Sequence, residues 1–166
     1  EVIKDQVDRL EKKVHSLLYL NKLSYIKDTK QFKKDRVDIS EVIRSSAEKF
    51  KLQRSDVQWK IIIADKKLNF CGTFDMWEAI IDNILSNFMR YAEKEIKITV
   101  KNNRITFYND GPNIDDNILN DVFTPYKKGT KGQFGLGLSV VKKSLSLLGY
   151  EISVKNEKKG ISFTIK

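Results

Sequence analysis

Apolar residues follow two different periods along this chain, one helical and one strand-like. In residues 1–27 they recur at intervals of four and three, at Ile3, Val7, Leu10, Val14 and Leu17. This spacing is typical of the seam of a coiled coil or a helical bundle. It predicts one long amphipathic helix that pairs with another helix or another chain. The polar residues 28–34 are predicted to form a linker.

From residue 36 onward, helical and strand-like segments are mixed. Helices are predicted at about residues 40–50, 76–92, 116–123 and 136–148. Ser40 is predicted to cap the first of these helices, and Thr73 or Asp75 the second. Gly149 is predicted to end the last one. The buried face of the second helix is predicted to carry Trp77, Ile80, Ile81, Ile84, Leu85 and Phe88.

Strands are predicted where apolar and polar residues alternate or where short apolar runs occur, at 36–39, 57–64, 68–71, 96–100, 104–108, 151–154 and 161–166. Polar turns are expected between consecutive strands at residues 65–67, 102–103 and 158–160. Five or so mostly antiparallel strands with three helices predict an α+β fold, a two-layer α/β sandwich in which helices cover one face of a sheet. The long helix and its linker are expected over residues 1–30, and the mixed domain over residues 31–166.

The composition excludes several kinds of site. The 166 residues include one cysteine, Cys71, and one histidine, His15, so an intrachain disulfide, a zinc finger and a His-triad metal site are excluded. The net charge of +9 could suit nucleic acid, an anionic membrane or a phosphate-rich ligand. Because lysines are interspersed with acidic residues, a solvated surface is the simpler interpretation, and no nucleic-acid partner is expected. The apolar runs are too short to span a bilayer.

Three polar constellations could carry chemistry, and the first lies on the predicted helix 76–92. Asn83 and Asn87 are four residues apart and share a helix face, although asparagine is an unfavourable residue in a helix interior. Their amide oxygens suit a hard cation that phosphate already neutralises. Arg90, one turn further, can bind a phosphate bidentately, and Tyr91 follows it. A solvent-facing polar stripe is the alternative interpretation.

The second constellation is the loop Asn109–Asn113, directly after a predicted strand. Gly111 would let a ligand approach the main chain, and Asn109 or Asp110 could read a base edge. The alternative is a plain turn. The third is the glycine-rich stretch 129–138, which leads into a helix N-terminus and is typical of anion binding. Residues 125–134, which overlap this stretch, are expected to be mobile.

In this order, the three constellations resemble the Bergerat-type ATP-binding fold that histidine kinases share with type II topoisomerases and mismatch-repair ATPases. The resemblance covers about residues 36–166 and is strongest to bacterial sensor histidine kinases. Residues 82–92 resemble the N box of these kinases, with Asn83 where the other two groups carry Glu. The first glycine box, the F box and the second glycine box match residues 109–114, 123–128 and 135–138. Residues 1–27 resemble the second helix of the dimerisation and phosphotransfer hairpin.

The resemblance implies a role for each matching residue. Asn87 and Asn83 would hold a magnesium ion, Mg²⁺, between the phosphates of ATP, and Arg90 would contact phosphate. The residues implied in nucleotide binding are Asn83, Asn87, Arg90, Tyr91, Asn109, Asp110, Gly111, Ile114, Lys128, Gly135, Leu136, Gly137 and Leu138. The implied reaction transfers the γ-phosphoryl group of ATP to a histidine for relay to a response regulator. A homodimer through the hairpin helices is also implied.

The chain departs from the family pattern at several positions. The usual adenine-reading Asp aligns with Asn109, the second glycine of that box with Asn113, and a threonine near the end with Ile161. An amide oxygen can still accept a hydrogen bond from adenine, so adenine selectivity is expected with weaker affinity. His15 is followed by Ser16 instead of an acidic residue, on what resembles the second hairpin helix. The phosphoacceptor histidine is therefore expected to be absent from this fragment.

The sequence leaves two alternatives to a histidine kinase. One is an ATPase or protein-serine kinase of the same superfamily, such as an anti-sigma factor kinase, which lacks a hairpin helix in front. The other is a degenerate nucleotide-sensing or interaction module, which the changes at Asn109 and Ile161 favour. For the kinase, the first residues already follow a helical pattern and suggest a fragment. Its sensor, membrane segments and first hairpin helix are expected to precede it, in a bacterial cell-membrane sensor whose cytoplasmic part this is.

Overall fold

The computed structural model describes residues 2–64, 68–126 and 135–166. The helices are α1 (Val2–Ser24), α2 (Lys30–Lys34), α3 (Ile39–Lys51), α4 (Phe74–Tyr91), α5 (Asp116–Leu119) and α6 (Gly137–Leu148). The strands are β1 (Arg36–Asp38), β2 (Gln58–Ile63), β3 (Asn69–Cys71), β4 (Glu95–Lys101), β5 (Arg104–Asn109), β6 (Ile152–Asn156) and β7 (Ile161–Ile165).

The main sheet has five strands in the order β2-β4-β5-β7-β6. Strand β2 runs parallel to β4, and the other neighbours are antiparallel. The predicted turn at 102–103 joins β4 to β5, and both Asn102 and Asn103 have the positive φ angles that a two-residue hairpin turn requires. The predicted hairpin of β6 and β7 is also confirmed.

Strands β2 and β3 do not pair with each other, although the sequence places them on either side of a polar turn. The turn, at residues 65–67, lies outside the described residues. Instead β3 pairs with β1 in a two-stranded sheet, in which the buried side chains of Val37 and Phe70 lie opposite each other. This pairing buries both residues against the helical layer, whereas β2 completes the main sheet beside β4.

The core lies between the sheet and a layer formed by α3, α4 and α6, with α4 in contact with both of the others. All six residues predicted for the buried face of α4 are buried. They meet the inward face of the sheet, where residues of β4 and β5 alternate between buried and less buried positions. Phe88 of α4, for example, contacts Phe163 of β7 at 5.3 Å between ring centroids. The predicted two-layer α+β sandwich is confirmed.

Several element boundaries differ from the sequence prediction. The cap of α3 is Asp38, not Ser40, because the Asp38 carboxylate accepts the N–H of Ser40 at 2.9 Å. Thr73, the first of the two candidates, caps α4. Part of the predicted linker forms the short helix α2, and the helix predicted over 116–123 ends at Leu119. Gly149 ends α6 in the left-handed conformation, as predicted.

The predicted apolar seam of helix α1 is largely exposed to solvent. Ile3, Val7, Leu10 and Val14 are each more than half exposed. The helix contacts α6, and its buried residue, Leu23, lies near its C-terminal end. Among the ranges that the structure describes, no helix combines the length and the apolar character needed to cross a membrane.

Candidate functional site

The face of α4 that carries Asn83 and Asn87, the asparagine face, meets the turn that starts α6. Asn83 is half-buried, and its side-chain amide donates a hydrogen bond to the carbonyl oxygen of Ala79 at 2.7 Å. This bond turns the Asn83 Oδ1 atom away from the helix and toward Gly137, where an added Cβ would lie 2.7 Å from it. Two of the constellations found in the sequence therefore meet, and a Cβ at position 137 would displace the Asn83 side chain.

The rotation of α4 places the remaining polar residues at the rim of the core. Because Ile84, Leu85 and Phe88 are fully buried, the residues on the flanking face are held at the edge of the helical layer. Asn87, one turn after Asn83, is half-buried, Arg90 is exposed, and Tyr91 is half-buried at the end of the helix.

The glycine-rich turn into α6 contains both core and surface residues. Leu136 and Leu138 are buried, whereas Gly135 is exposed and has no described residue within 4 Å of its Cβ position. Leu136 provides no side-chain cap for α6, a 12-residue helix, and the first N–H groups of a helix suit an anion. Lys128 and residues 127–134 of the segment 125–134, which was predicted to be mobile, lie outside the described residues.

Asp110 holds the connection between α4 and β4. Its carboxylate accepts hydrogen bonds from the backbone N–H groups of Glu93 at 3.0 Å, Lys94 at 2.9 Å and Glu95 at 2.9 Å. The ammonium group of Lys159 lies 3.5 Å from the same carboxylate. Burial opposes ionisation of Asp110, but these donors outweigh it, so the pKa of Asp110 lies below its ordinary value.

Asn109 and Gly111 form a tight unit beside Asp110. Asn109 is fully buried, and its Oδ1 atom accepts the N–H of Gly111 at 2.9 Å. A Cβ on Gly111 would lie 2.2 Å from the carbonyl oxygen of Tyr91. The close approach that the sequence attributes to a ligand at Gly111 is thus made by the protein's own main chain. Asn109 and Tyr91, predicted from different motifs, are brought together here.

Ile114 is positioned by a residue that the sequence analysis missed. The side chain of Asn156, the last residue of β6, accepts the N–H of Ile114 at 2.9 Å and donates to its carbonyl oxygen at 2.7 Å. This pair of bonds fixes the end of the loop after β5. Spacing gives no signal for Asn156, because it lies 42 residues from Ile114 in a different hairpin.

A metal ion at this site would depend on neutral ligands. Over residues 2–64, 68–126 and 135–166, no group of three or more His, Cys, Asp or Glu side chains could hold one. The amide oxygens of Asn83 and Asn87 fit a magnesium ion that phosphate groups also bind. His15 lies away from such a role, exposed on α1 with its imidazole 3.8 Å from the carboxylate of Glu11.

Comparison with known proteins identifies the class. Residues 74–166, more than half of the chain, match the family described as "Histidine kinase-, DNA gyrase B-, and HSP90-like ATPase". The chain therefore belongs to this family of ATPases, and the resemblance found in the sequence is confirmed.

The individual relatives are sensor histidine kinases. The chain is 40% identical to the sensor histidine kinase CssS of Bacillus subtilis (strain 168), over 99% of this chain and 37% of CssS. It thus spans little more than a third of that relative's length. Two solved structures share its fold: Acinetobacter baumannii histidine kinase AdeS (TM-score 0.76, 21% identity, 99% of this chain and 80% of that one), and histidine kinase ThkA in complex with response regulator protein TrrA (TM-score 0.76, 20% identity, 99% and 48%).

Proposed function

We propose that this chain is the ATP-binding catalytic part of a sensor histidine kinase. In the proposed reaction a histidine ring nitrogen attacks the γ-phosphorus of ATP and the bond to the β-phosphate oxygen breaks, which gives phosphohistidine and ADP. The contact between Asn83 and Gly137 carries the proposal, because it joins the asparagine face of α4 to a helix N-terminus suited to phosphate. Membership of an ATPase family and 40% identity to a sensor histidine kinase support it.

The site residues are proposed to work by positioning and by neutralising charge, as in phosphoryl transfer generally. Asn83 and Asn87 would hold a magnesium ion, which supplies positive charge beside the phosphates when it is bound. Arg90 would contact a phosphate, and the N-terminus of α6 at Gly135–Leu138 would face the others. Lys128 is proposed to reach the triphosphate as well. Tyr91, Asn109, Gly111 and Ile114 would line the base end of the site.

The phosphoryl acceptor is proposed to lie outside this sequence. His15 is the only histidine of the 166 residues, and it is exposed on α1 and paired with Glu11. The exposed seam of α1 suits the packing of hairpin helices in a homodimer of the whole protein. A response regulator is the proposed downstream partner. The whole protein is proposed to be a bacterial cell-membrane sensor, with this part in the cytoplasm.

Isothermal titration calorimetry tests the nucleotide site directly. The chain is titrated with ATP, ADP and GTP, with and without magnesium. Saturable binding that prefers adenine nucleotides is expected, with ATP bound more tightly when magnesium is present. No binding at millimolar nucleotide would contradict the proposal and would favour a degenerate interaction module.

An Asn87→Ala variant tests the metal assignment. It should abolish the gain in ATP affinity that magnesium gives, because one of two amide ligands is lost, and leave the circular dichroism spectrum unchanged. Ser86→Ala is the matched control, since Ser86 is exposed on the neighbouring position of α4. If Asn87→Ala binds ATP and magnesium as the unaltered chain does, Asn87 is not a ligand.

A further inference from the structure

The C-terminal end of α4 is held by an arginine from a different segment of the chain. Arg54 lies in the loop between α3 and β2. Its guanidinium group donates to the carbonyl oxygen of Met89 at 2.8 Å and to that of Ala92 at 3.2 Å. Carbonyl groups in the last turn of a helix have no partner within the helix, so another donor has to satisfy them. A guanidinium group suits this position, because its positive charge also interacts favourably with the negative end of the helix dipole.

Arg54 and Asp110 together replace the hydrogen bond that would extend α4. In a continued helix, the Glu93 N–H would donate to the carbonyl oxygen of Met89, four residues earlier. In the structure that carbonyl oxygen accepts from Arg54 instead, and the Glu93 N–H donates to the Asp110 carboxylate at 3.0 Å. The cation bonds the acceptor and the anion bonds the donor, so both hydrogen bonds are charge-assisted. These two side chains therefore explain why α4 ends at Tyr91.

The guanidinium group of Arg54 is itself held in place. The carboxylate of Asp56 accepts from its Nε atom at 2.8 Å and from its Nη2 atom at 2.7 Å. The side chain of Arg54 is 28% exposed, whereas that of Asp56 is 62% exposed. Two bonds to a carboxylate and two to the main chain thus fix a half-buried cation. The single ammonium group of a lysine cannot reproduce this planar set of bonds.

Arg90 and Tyr91 lie between the two carbonyl groups that Arg54 holds. The Met89 carbonyl belongs to the peptide group that precedes Arg90, and the Ala92 carbonyl belongs to the peptide group that follows the end of the helix. Both peptide groups are fixed by the same guanidinium, so the main chain between them is restrained. Helix ends fray, and the hydrogen bonds of Arg54 oppose fraying of this last turn.

We propose that Arg54 is a positioning residue of the nucleotide site: its guanidinium group ends α4 at Tyr91 and so holds Arg90 and Tyr91 in place for a bound nucleotide. Arg54 acts through the main chain of α4 and is not proposed to contact the nucleotide. Spacing gives no signal for this role, because the two carbonyl groups lie 35 and 38 residues further along the chain. This inference rests on the proposed ATP site.

Isothermal titration with ATP and magnesium compares Arg54→Met with the unaltered chain. Methionine keeps much of the apolar stem and removes every donor. We expect ATP to bind about tenfold more weakly, a loss typical of residues that share one hydrogen-bond network. Arg44→Met, at an exposed position of α3, is the matched control and should bind ATP as the unaltered chain does. Unchanged ATP affinity in a folded Arg54→Met variant would overturn the inference, even if urea unfolding shows a loss of stability.

A double-mutant cycle with Arg90→Ala separates positioning from a role in stability alone. Once the Arg90 side chain is removed, its displacement no longer matters. Arg54→Met should then weaken ATP binding by about threefold or less, the part that depends on Tyr91. Equal losses of ATP affinity with and without the Arg90 side chain would overturn the inference, because Arg54 would then act independently of the residue that it is proposed to position.

Arg54→Lys decides the matter if circular dichroism shows that Arg54→Met does not fold. Lysine keeps the positive charge but cannot hold both carbonyl groups and Asp56 at once, so ATP should bind about threefold more weakly than to the unaltered chain. Unchanged affinity in this variant would then overturn the inference. Failure of ATP to bind the unaltered chain would overturn the proposed function, whereas ATP binding that does not respond to changes at Arg54 would overturn only the role of Arg54.

Discussion

Asn109 and Asp110 are neighbours with similar side chains, yet the fold gives them different hydrogen-bonding environments. Asp110 stabilises the connection between α4 and β4 through three backbone hydrogen bonds. Asn109 points into the layer between the sheet and the helices and keeps a donor unpaired among the described residues. The sequence could not distinguish them, because both residue types suit either a turn or a base contact. The alternation of β5 places Asn109 on the buried face, and the position of residues 93–95 directs their N–H groups to the Asp110 carboxylate.

Asp110→Asn should lower the stability of the domain in a pH-dependent way. Because the pKa of Asp110 is lowered in the folded state, its carboxylate stabilises the fold fully above the unfolded pKa, near 3.8, and this contribution is lost as pH falls through the folded pKa. The variant should cost about 2 kcal/mol at pH 7, the loss expected when a buried charged acceptor is removed from its donors. Urea unfolding followed from pH 7 to pH 3 measures the difference.

The difference in free energy of unfolding between Asp110→Asn and the unaltered protein should become smaller as the pH falls below about 4. Other carboxylates with lowered pKa, such as those of Asp56 and Glu157, titrate in both proteins and cancel in the difference. Asp8→Asn, at an exposed position of α1, is the control and should behave as the unaltered chain does. A difference that is constant with pH would contradict the role given to the Asp110 carboxylate.

At the scale of elements, two glycines distinguish the cost of a left-handed backbone conformation from the cost of a close contact at the Cβ position. Gly149 ends α6 with φ +86°, and none of the described residues lies within 4 Å of its Cβ position. Gly160, in the turn before β7, has φ +81°, but its Cβ position overlaps the main chain of Asn109 and Asp110. Both glycines adopt a conformation that other residues rarely adopt. Only Gly160 also has to make room for another strand end.

Gly149→Ala should therefore lower the free energy of unfolding by about 1 kcal/mol, because only the left-handed conformation is unfavourable for alanine there. Gly160→Ala should cost at least about 3 kcal/mol, because a main-chain shift is added to that cost. Equilibrium unfolding in urea compares the two variants. Gly135→Ala is the stability control, since no described residue lies within 4 Å of its Cβ position and its φ is not in the left-handed region. Equal losses at Gly149 and Gly160 would show that the contact with Asn109 is relieved cheaply.

At the scale of the whole molecule, α1 is attached mainly at its C-terminal end. The hydrophobic core consists of residues from Val37 to Ile165, and α1 adds a separate contact in which Leu23 is buried and Tyr19 is half-buried near Ser144 of α6. The N-terminal seam of α1 contributes nothing to this contact, because its residues are exposed. The domain boundary near residue 30 stays a prediction, which deletion can test.

Deletion of residues 1–27 should leave a folded, ATP-binding monomer. The core is retained, so the circular dichroism spectrum should lose only the helical signal of α1. The midpoint of thermal unfolding should fall by about 5 °C, because the loss of Leu23 uncovers part of α6. Sedimentation velocity and ATP titration complete the test. A chain that fails to fold, or that self-associates more than the full sequence, would place the boundary elsewhere.

The sequence by itself determined the features that depend only on residues close together along the chain. The apolar period fixed the buried face of α4, the seam of α1 and the inward face of β4 and β5, because these patterns repeat within one element. Asn102–Asn103 and Gly149 were likewise predictable, since their conformations are local requirements. The order of the asparagine helix, the Asp-Gly loop and the second glycine box was sufficient for the family.

Tertiary structure alone decided the features that join distant segments. The pairing of β3 with β1, the support of Ile114 by Asn156 and the contact of Asn83 with Gly137 each link residues more than 30 positions apart. Such contacts depend on which buried surfaces meet, and one sequence carries no periodic signal for them. For the same physical reason, only the tertiary structure brings Gly111, Tyr91 and Gly160 together around the buried amide of Asn109.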